Sequence, residues 1–428
     1  MNATATAAAQ LTVDEFRLKV RSWLKDHVPL KDHHGTLPVW TDEGVARDRA
    51  IQRSLWEGGI AGVDVPVEYG GLGLGHEYWQ AFRDEATPYR MPENYGNAFN
   101  VVLPTLLAHA SEEIKREHIP RILNGDRIWA QFLSEPSGGS DLFGLLTRAE
   151  RDGDEWVLNG AKIWTTGGNY SDWAICLART DPTVPKHQGL SMFVVPMRDD
   201  DGAVTPGLTI VPLQLTTGER EFCQEFIDDV RIPLANLVGE LNHGWECATT
   251  LMRNERTAIG RGWSMGGSPA ENTATGIDPD RELLELARSL GTADEPIVRS
   301  LIGEDWVLDE VQAQTVKRVT AAMRSGELPG FAAAILKSMS GYTGRRHGEI
   351  VAQLAGELAA VWEPGGTKWG NKRLSSHAIG GGTTEMQRNA IAERLLGLPR
   401  PDDSDRRLPF NEIRQNTMPA SAASRRPK

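Results

Sequence analysis

One segment of the chain combines residue types that suit a flat aromatic cofactor. Residues 131–180 contain an acidic turn, a Gly-Gly-Ser-Asp loop and alternating strands that carry Trp164, which two threonines follow. A tryptophan ring packs well against a planar group, and loop amides and hydroxyls suit phosphate or thioester oxygens. The combination therefore favours a cofactor wall. The alternatives are an ordinary turn at residues 137–141 and a core position for Trp164.

Three stretches of different periodicity surround this segment. Apolar residues follow helical spacing from Leu11 to about residue 126, and Thr12 to Glu15 form a predicted capping box. Between residues 129 and 240 the period changes towards two, which predicts a compact β unit. Helical spacing then returns. The order predicts an α+β protein with a cleft between domains, where ligands usually bind. Its predicted domains are 11–128 (helical), 129–240 (β) and 241–400 (helical).

Three segments do not follow the regular pattern. The glycine-rich residues 70–75 predict a loop and not a dinucleotide-binding motif, because no buried strand precedes them and His76 occupies the position of the third glycine. Residues 263–280 are rich in Gly, Ser, Thr and Pro and are a predicted loop. Residues 401–428 are a predicted disordered tail.

Composition restricts the class of protein. A formal net charge of −12, from 46 basic and 58 acidic residues, argues against nucleic acid as the main partner. No run approaches the roughly 18 apolar residues of a membrane span, and residues 1–10 do not resemble a secretory signal. Three widely spaced cysteines, Cys176, Cys223 and Cys247, predict buried thiols in a reducing compartment and no zinc site. We therefore expect a cytoplasmic enzyme without a metal ion.

Four separated motifs resemble the acyl-CoA dehydrogenase family. They are SEPSGGSD (134–141), LNGAKIWTT (158–166), DDVRIPLANLVGELNHGW (228–245) and IGGGTTEMQRNAIAERLLGLPR (379–400). The resemblance extends over roughly residues 12–400, with the motifs in the family's order. It implies an N-terminal helical domain, a central β-barrel-like domain and a C-terminal helical bundle. It also implies an FAD-dependent homo-oligomer, a dimer or tetramer, that removes the α and β hydrogens of an acyl-CoA thioester.

The resemblance assigns a cofactor site to the matching positions. Ser140 matches a serine that contacts both FAD and substrate, and Trp164 matches a tryptophan packed against the flavin. Thr166 matches a threonine bonded to the flavin nitrogen that takes the hydride, and residues 383–385 match a triplet near the adenosine half. The implied cofactor-binding residues are Phe132, Leu133, Ser134, Gly139, Ser140, Trp164, Thr165, Thr166, Thr383, Thr384 and Glu385.

The resemblance also places the catalytic base. Many members carry a glutamate directly before the Gly-Thr pair of the last motif, where this chain has Gly381. A subgroup that resembles isovaleryl and long-chain enzymes places it on an earlier helix before an arginine, as Glu255 and Arg256 stand here. Apolar residues at i−4, i−3 and i+4 put Glu255 on an apolar helix face, where desolvation raises a carboxyl pKa towards that of a useful base. The alternative is a structural glutamate paired with an arginine.

Substrate contacts follow from the same comparison. Arg256 matches an arginine near the CoA moiety, and the backbone N–H at Gly381 matches a donor to the thioester oxygen that stabilises the developing enolate. The implied substrate-binding residues are Ser140, Arg256 and Gly381.

Two family elements are absent. An Arg-x-x-Phe-Gly element, which supplies a flavin-binding arginine from a neighbouring subunit, is replaced by residues 293–306, where Arg299 is only a weak analogue. The Gln-x-x-Gly-Gly element is not recognisable in residues 356–370. These departures resemble members that work as unequal pairs of subunits, in which one chain contributes part of each site.

The sequence thus predicts FAD-dependent dehydrogenation of an acyl-CoA to a trans-2-enoyl-CoA, with electrons passing to an electron-transfer flavoprotein. A base on the earlier helix is compatible with long, branched or ring-bearing acyl groups. One alternative is a non-catalytic or half-site partner subunit of a mixed oligomer. Another is a flavin oxidase or monooxygenase on the same fold.

Overall fold

The computed structural model describes residues 11–30, 39–215, 220–260, 279–360, 378–400 and 404–413. Apart from its last two residues, the predicted loop at 263–280 lies outside these ranges, and so does most of the segment at 356–370.

In the described ranges, five α-helices precede the first strand. They are α1 (Val13–His27), α2 (Asp42–Glu57), α3 (His76–Ala86), α4 (Leu103–His109) and α5 (Glu112–Leu123). The predicted capping box is confirmed: the Glu15 N–H donates to Thr12 Oγ1 at 3.3 Å, and the Thr12 N–H donates to Glu15 Oε2 at 2.8 Å. The glycine-rich stretch is a loop, as predicted, and Gly70 and Gly73 adopt positive φ angles of 92° and 64°.

The described residues form one eight-stranded mixed sheet between the two helical regions of the sequence. Its strands are β1 (Trp129–Phe132), β2 (Arg148–Asp152), β3 (Glu155–Thr166), β4 (Trp173–Arg179), β5 (Leu190–Pro196), β6 (Leu208–Leu213), β7 (Phe222–Pro233) and β8 (Leu237–Val238). Their order is β6-β7-β3-β2-β4-β5-β8, and β1 pairs parallel with β4. Most of the neighbouring pairs are antiparallel.

Strands β4 and β5 are buried on both faces. Cys176 and Phe193 belong to a core cluster shared by β1 to β7, whereas Ile175 and Met192, on the other face, belong to a cluster shared with helices that precede and follow the sheet in the chain. Burial of both faces explains why the sequences of these two strands are nearly continuous apolar runs. The sheet therefore joins the two helical regions, and the predicted α+β architecture is confirmed.

Helices return after β8. Among the described residues, the α-helices are α6 (Gly244–Gly260), α7 (Pro279–Ser289), α8 (Pro296–Ser325), α9 (Ala333–Ala355) and α10 (Thr384–Ala390). Helix α9 packs against α6, α7, α8 and α10. It thereby connects the helix that carries Glu255 with the segment that carries Gly381.

The prediction of a disordered tail is wrong for residues 404–413. These residues form two short 3-10 turns, and Phe410 is buried. Its N–H donates to the Val184 carbonyl at 2.9 Å, and the guanidinium of Arg179 lies 3.4 Å from the centre of its ring. Such a segment shows no helical or strand periodicity, because a single aromatic side chain and a few backbone hydrogen bonds hold it in place.

Two further expectations concern side-chain chemistry and the membrane. All three cysteines are buried and free, as predicted. In the described ranges no helix is long and apolar enough to cross a membrane, and no cluster of His, Cys, Asp or Glu could hold a metal ion.

Candidate active site

A buried ion pair joins the first two sequence motifs. Glu135, from SEPSGGSD, accepts a hydrogen bond from Lys162 Nζ at 2.9 Å, and Lys162 comes from LNGAKIWTT. Both side chains are almost completely buried. Lys162 also donates to the backbone carbonyls of Leu133 and Leu177, at 3.1 and 2.9 Å. The two motifs therefore form one structural unit, although 27 residues separate the ionic partners.

The charge on Glu135 is stabilised within this unit. Burial by itself would raise the pKa of Glu135, but Lys162 and the N–H groups of Thr147 and Leu146 lower it below its ordinary value. Those N–H groups donate to the carboxylate at 2.9 and 2.6 Å. A charged, fully bonded Glu135 fixes the loop at 136–141 against β2 and β3.

Trp164 is turned out of the sheet by a β-bulge. The pairing of β3 with β7 shifts register between Ile163 and Thr165, and Trp164 has a positive φ of 65°. Its side chain is 57 % exposed and contacts Phe222 edge to face, with ring centroids 6.1 Å apart. Bulges that re-aim a side chain are common beside active sites. Trp164 is therefore not a core residue, and its ring is available to a planar ligand.

Ser134 lies beside this bulge. The Ile163 N–H donates to the Ser134 carbonyl at 2.9 Å, so the residue before Trp164 is bonded to the serine of the first motif. Ser134 and Thr166 are both half-buried, which leaves part of each residue accessible. The structure thus brings Ser134 close to the Trp164 bulge, as the resemblance implies.

The other residues of these motifs divide by burial. Phe132 is fully buried in the core cluster that contains Cys176 and Phe193, so only its backbone can face a ligand. Leu133 is half-buried, and Gly139 and Ser140 are exposed. A Cβ at Gly139 would lie 3.1 Å from Ser134 Oγ, so glycine lets the loop approach that hydroxyl.

Thr165 faces away from the exposed side of β3. Its hydroxyl donates to Glu225 Oε2 at 2.6 Å, and both side chains are buried. Burial raises the pKa of Glu225 to about 8, and the bond from Thr165 opposes this only in part. The Thr165 side chain therefore anchors β3 to β7, and a cofactor contact from this residue is limited to its backbone.

Glu255 is a desolvated carboxylate on α6. It is half-buried, one turn after the fully buried Leu251, and Gln131 Nε2 donates to its Oε1 at 3.0 Å. Burial raises the pKa of Glu255, while the bond from Gln131 and the charges of Arg256 and Lys337 oppose the rise. The predicted rise of its pKa is therefore confirmed.

Among the described residues, two cations act on the carboxyl of Glu255. Lys337, on α9, is fully buried, and burial lowers its pKa although Glu255 opposes this. Burial also lowers the pKa of Arg256; Glu255 opposes the change and Arg394 adds to it. Among the described residues, Arg256 Nε is buried without a hydrogen-bond partner. An arginine with an unused donor beside a carboxylate suits an anionic or polar ligand.

The C-terminal motif forms a tight turn before α10. Gly381 and Gly382 have positive φ angles of 69° and 89°, a conformation that glycine adopts without strain. Thr383 caps α10 by accepting a hydrogen bond from the Met386 N–H at 3.2 Å. Thr384 is buried and Glu385 is exposed. Thr383 and Thr384 thus have structural roles here, which leave Glu385 and the glycine backbone accessible.

Three family models match the chain in succession. The acyl-CoA dehydrogenase N-terminal domain matches residues 12–126, the middle domain residues 130–230 and the C-terminal domain residues 242–396. A relative described as acyl-CoA dehydrogenase IpdE1, from Mycolicibacterium smegmatis, is 32% identical over 409 residues, which cover 91% of this chain and 99% of that protein. The chain therefore belongs to the acyl-CoA dehydrogenase family and is an oxidoreductase that acts on acyl-CoA.

Solved structures show the same fold. A structure described as the Tcur3481-Tcur3483 steroid ACAD has a TM-score of 0.71 and 29% identity, and the match covers 91% of this chain and 98% of that one. The ChsE4-ChsE5 complex from Mycobacterium tuberculosis has a TM-score of 0.59 and 26% identity, over 91% of this chain and 98% of that one. The predicted family and fold are thus confirmed.

Members of this family are flavoproteins, and the site fits a flavin. Trp164 offers an exposed aromatic face, and Ser134 and Thr166 offer partly accessible polar groups on adjoining backbone. The open loop at Gly138, where an added Cβ would meet nothing within 4 Å, leaves room for a ligand.

Sequence reasoning missed three residues of this region. Gln131, Lys162 and Glu225 carry polar atoms in strands that are otherwise largely apolar. A polar residue on the buried side of a strand needs a partner. That rule identifies Lys162 and Glu225 as paired groups, but it does not say that Gln131 reaches a residue 124 positions away.

Proposed function

We propose that the chain catalyses FAD-dependent α,β-dehydrogenation of an acyl-CoA thioester to a trans-2-enoyl-CoA, with an electron-transfer flavoprotein as acceptor. The observation that carries the proposal is the desolvated carboxylate of Glu255, tied to the strand that leads into the Ser134 motif. A carboxylate with a raised pKa is a suitable base for an α-proton near neutral pH.

Each residue has a defined part in this proposal. Glu255 removes the α-proton, and the N–H of Gly381 binds the thioester oxygen and so stabilises the developing enolate. Trp164, Ser134 and Thr166 hold the flavin ring, while Ser140 and Arg256 contact the substrate. FAD, when bound, supplies the acceptor for the β-hydride.

We further propose a bulky, ring-bearing acyl group as the substrate class. A glycine at position 381, with the base on α6, leaves the space where other members carry a glutamate side chain. The description of one similar structure as a steroid ACAD supports this proposal. Flavin reduction by a panel of linear, branched and ring-bearing acyl-CoAs would rank these classes directly.

Replacement of the base is the main test. Glu255→Gln keeps the shape and the hydrogen bond to Gln131 but removes the base, so we expect kcat to fall by about 10²–10⁴-fold. Glu246→Gln is the matched control, because Glu246 is exposed on the same helix. Turnover with an artificial acceptor and the flavin content should be measured for both variants. A Glu255→Gln enzyme with full flavin and wild-type kcat would refute the assignment.

A second candidate is a half-site subunit in a mixed oligomer. The two absent family elements favour it, because the first of them would supply a flavin-binding arginine across a subunit interface. Two similar structures are described by pairs of names, Tcur3481-Tcur3483 and ChsE4-ChsE5, which is consistent with this arrangement. In that assembly Glu255 remains the base of this chain, and the partner chain completes the flavin site.

A further inference from the structure

Gln131 connects the two halves of the proposed site. It lies on β1, which pairs with β4 and leads directly into Leu133 and Ser134. Its Nε2 donates to Glu255 Oε1 at 3.0 Å, across 124 residues of sequence. The amide is therefore in direct contact with the group that is proposed to remove the α-proton.

The other atom of the amide is unused. Within the part of the chain that the structure describes, Gln131 Oε1 is buried and accepts no hydrogen bond. An unsatisfied buried acceptor is costly, so such an atom in a native protein requires an explanation. A rotation of the amide by half a turn exchanges its oxygen and nitrogen. The same side chain can then accept from Glu255 instead of donating to it.

The charged neighbours of Glu255 cannot take this second role. The described groups that act on its carboxyl are Arg256 on the same helix and Lys337 on α9, and Arg394 acts on Arg256. Lysine and arginine side chains have hydrogen-bond donors but no acceptor. They stabilise the charged carboxylate of Glu255, but they cannot accept a hydrogen bond from its protonated form.

We propose that Gln131 is a positioning residue that holds Glu255 in both of its protonation states. Before the reaction its NH₂ group donates to the Glu255 carboxylate. During the reaction the Cα–H bond of the acyl group breaks, an O–H bond forms on Glu255, and the electron pair stays on the α-carbon. The Oε1 of Gln131 then accepts the new O–H. This inference rests on the proposed role of Glu255.

The test uses the pH dependence of turnover. Gln131→Met keeps the length of the side chain and removes both polar functions. Because the bond donated to the charged carboxylate is about twice as strong as the bond accepted from the neutral acid, we expect the loss of both to move the acidic limb of the kcat profile about one pH unit higher. We also expect kcat at its optimum to fall by about tenfold, since the protonated base loses its acceptor, while KM and flavin content stay near wild type.

Gln314→Met is the matched control. Gln314 donates to Glu310 in the same way, at 2.6 Å, but on the exposed surface of α8. If Gln131→Met does not fold, Gln131→Asn keeps a polar amide one methylene shorter, and the same displacement of the acidic limb is expected. A uniform loss of activity with an unmoved limb, in either variant, would overturn the positioning role.

The two proposals fail in different ways. If Glu255→Gln abolishes turnover and Gln131→Met leaves the acidic limb in place, Glu255 remains the base and only the role of Gln131 is wrong. If Glu255→Gln turns over like wild type, the base assignment is wrong, and the role of Gln131 is overturned with it. Exchange of the substrate's α-hydrogen in deuterium oxide reports proton removal separately from flavin reduction.

Discussion

Glu225 is a second buried carboxyl beside the proposed cofactor wall. It lies on β7 and is bonded to the hydroxyl of Thr165, the residue that follows Trp164. Its Oε1 has no hydrogen-bond partner among the described residues, and a Cβ at Gly168 would lie 2.4 Å from that atom. Burial favours the neutral acid, because a charged carboxylate would lose its hydration without gaining a full set of donors.

This carboxyl makes stability depend on pH. Burial raises the pKa of Glu225 to about 8 from an ordinary 4.5, so the native state holds a proton that the unfolded chain releases. The contribution of Glu225 to the free energy of unfolding is complete below pH 4.5 and is lost as the pH rises through about 8. The free energy of unfolding should therefore fall across this window by up to about 1.4 kcal/mol per pH unit.

Glu225→Gln should flatten this part of the profile, because the amide carbonyl still accepts from Thr165 but does not titrate. Chemical unfolding measured from pH 5 to 8 gives the slope. Asp228→Asn, an exposed change on the same strand, is the control. An unchanged slope in Glu225→Gln would show that Glu225 is already ionised at pH 5.

Single residues differ in how well the sequence predicts them. The elevated pKa of Glu255 followed from apolar neighbours at helical spacing, because those neighbours lie on its own helix. The contact from Gln131 could not be predicted in this way, because strand β1 and helix α6 are brought together by the tertiary fold. The outward turn of Trp164 also depends on the pairing of β3 with β7, where the register shifts. The cofactor contacts of these residues remain predictions.

At the scale of elements, periodicity predicted strands and helices well. It failed at residues 404–413, where Phe410 packs under the guanidinium of Arg179. Arg179 also donates to the carbonyls of Phe143 and Lys186, at 2.6 and 3.1 Å. The C-terminal segment and the backbone that follows the 136–141 loop thus share one arginine. Such a link depends on contacts between residues that are distant in sequence, so no local sequence pattern predicts it.

Removal of the aromatic ring should release this segment. We expect Phe410→Ala to lose about 1.5–3 kcal/mol of local stability, the value of burying one such side chain. The Asn411 N–H, which donates to the Pro182 carbonyl at 3.0 Å, should then exchange faster with deuterium. Leu408→Ala, at a more exposed position of the same segment, is the control. Equal exchange at Asn411 in both variants and in wild type would contradict the anchoring role.

At the scale of the whole molecule, the proposed site draws on the central sheet and on two separate parts of the C-terminal helical region. Trp164 comes from the sheet, Glu255 from α6, and Gly381 from the turn before α10. Helix α9 packs against both α6 and α10. Sequence motifs predicted these participants, but the order of the strands and the central position of α9 required the structure, because both depend on contacts between distant segments.

The absence of two family elements that contact the flavin bears on how this chain assembles. Arg299, the weak analogue of the absent arginine, is exposed in the first turn of α8. If a related chain supplies the absent contacts, this chain purified alone should hold much less than one FAD per chain. Co-expression with a related acyl-CoA dehydrogenase chain should then raise the flavin content and give a yellow protein that acyl-CoA bleaches.

The flavin absorbance per chain and the mass of the intact assembly test this prediction. Arg299→Ala separates the two ways of completing the site. In a mixed oligomer whose partner supplies the arginine, the variant should keep its flavin. In a homo-oligomer that uses Arg299 across its own interface, the variant should lose it. A chain that alone binds one FAD, bleaches fully with acyl-CoA, has the mass of a dimer or tetramer and loses its flavin in Arg299→Ala would support the homo-oligomer, because the purified assembly then contains no other chain to supply the arginine.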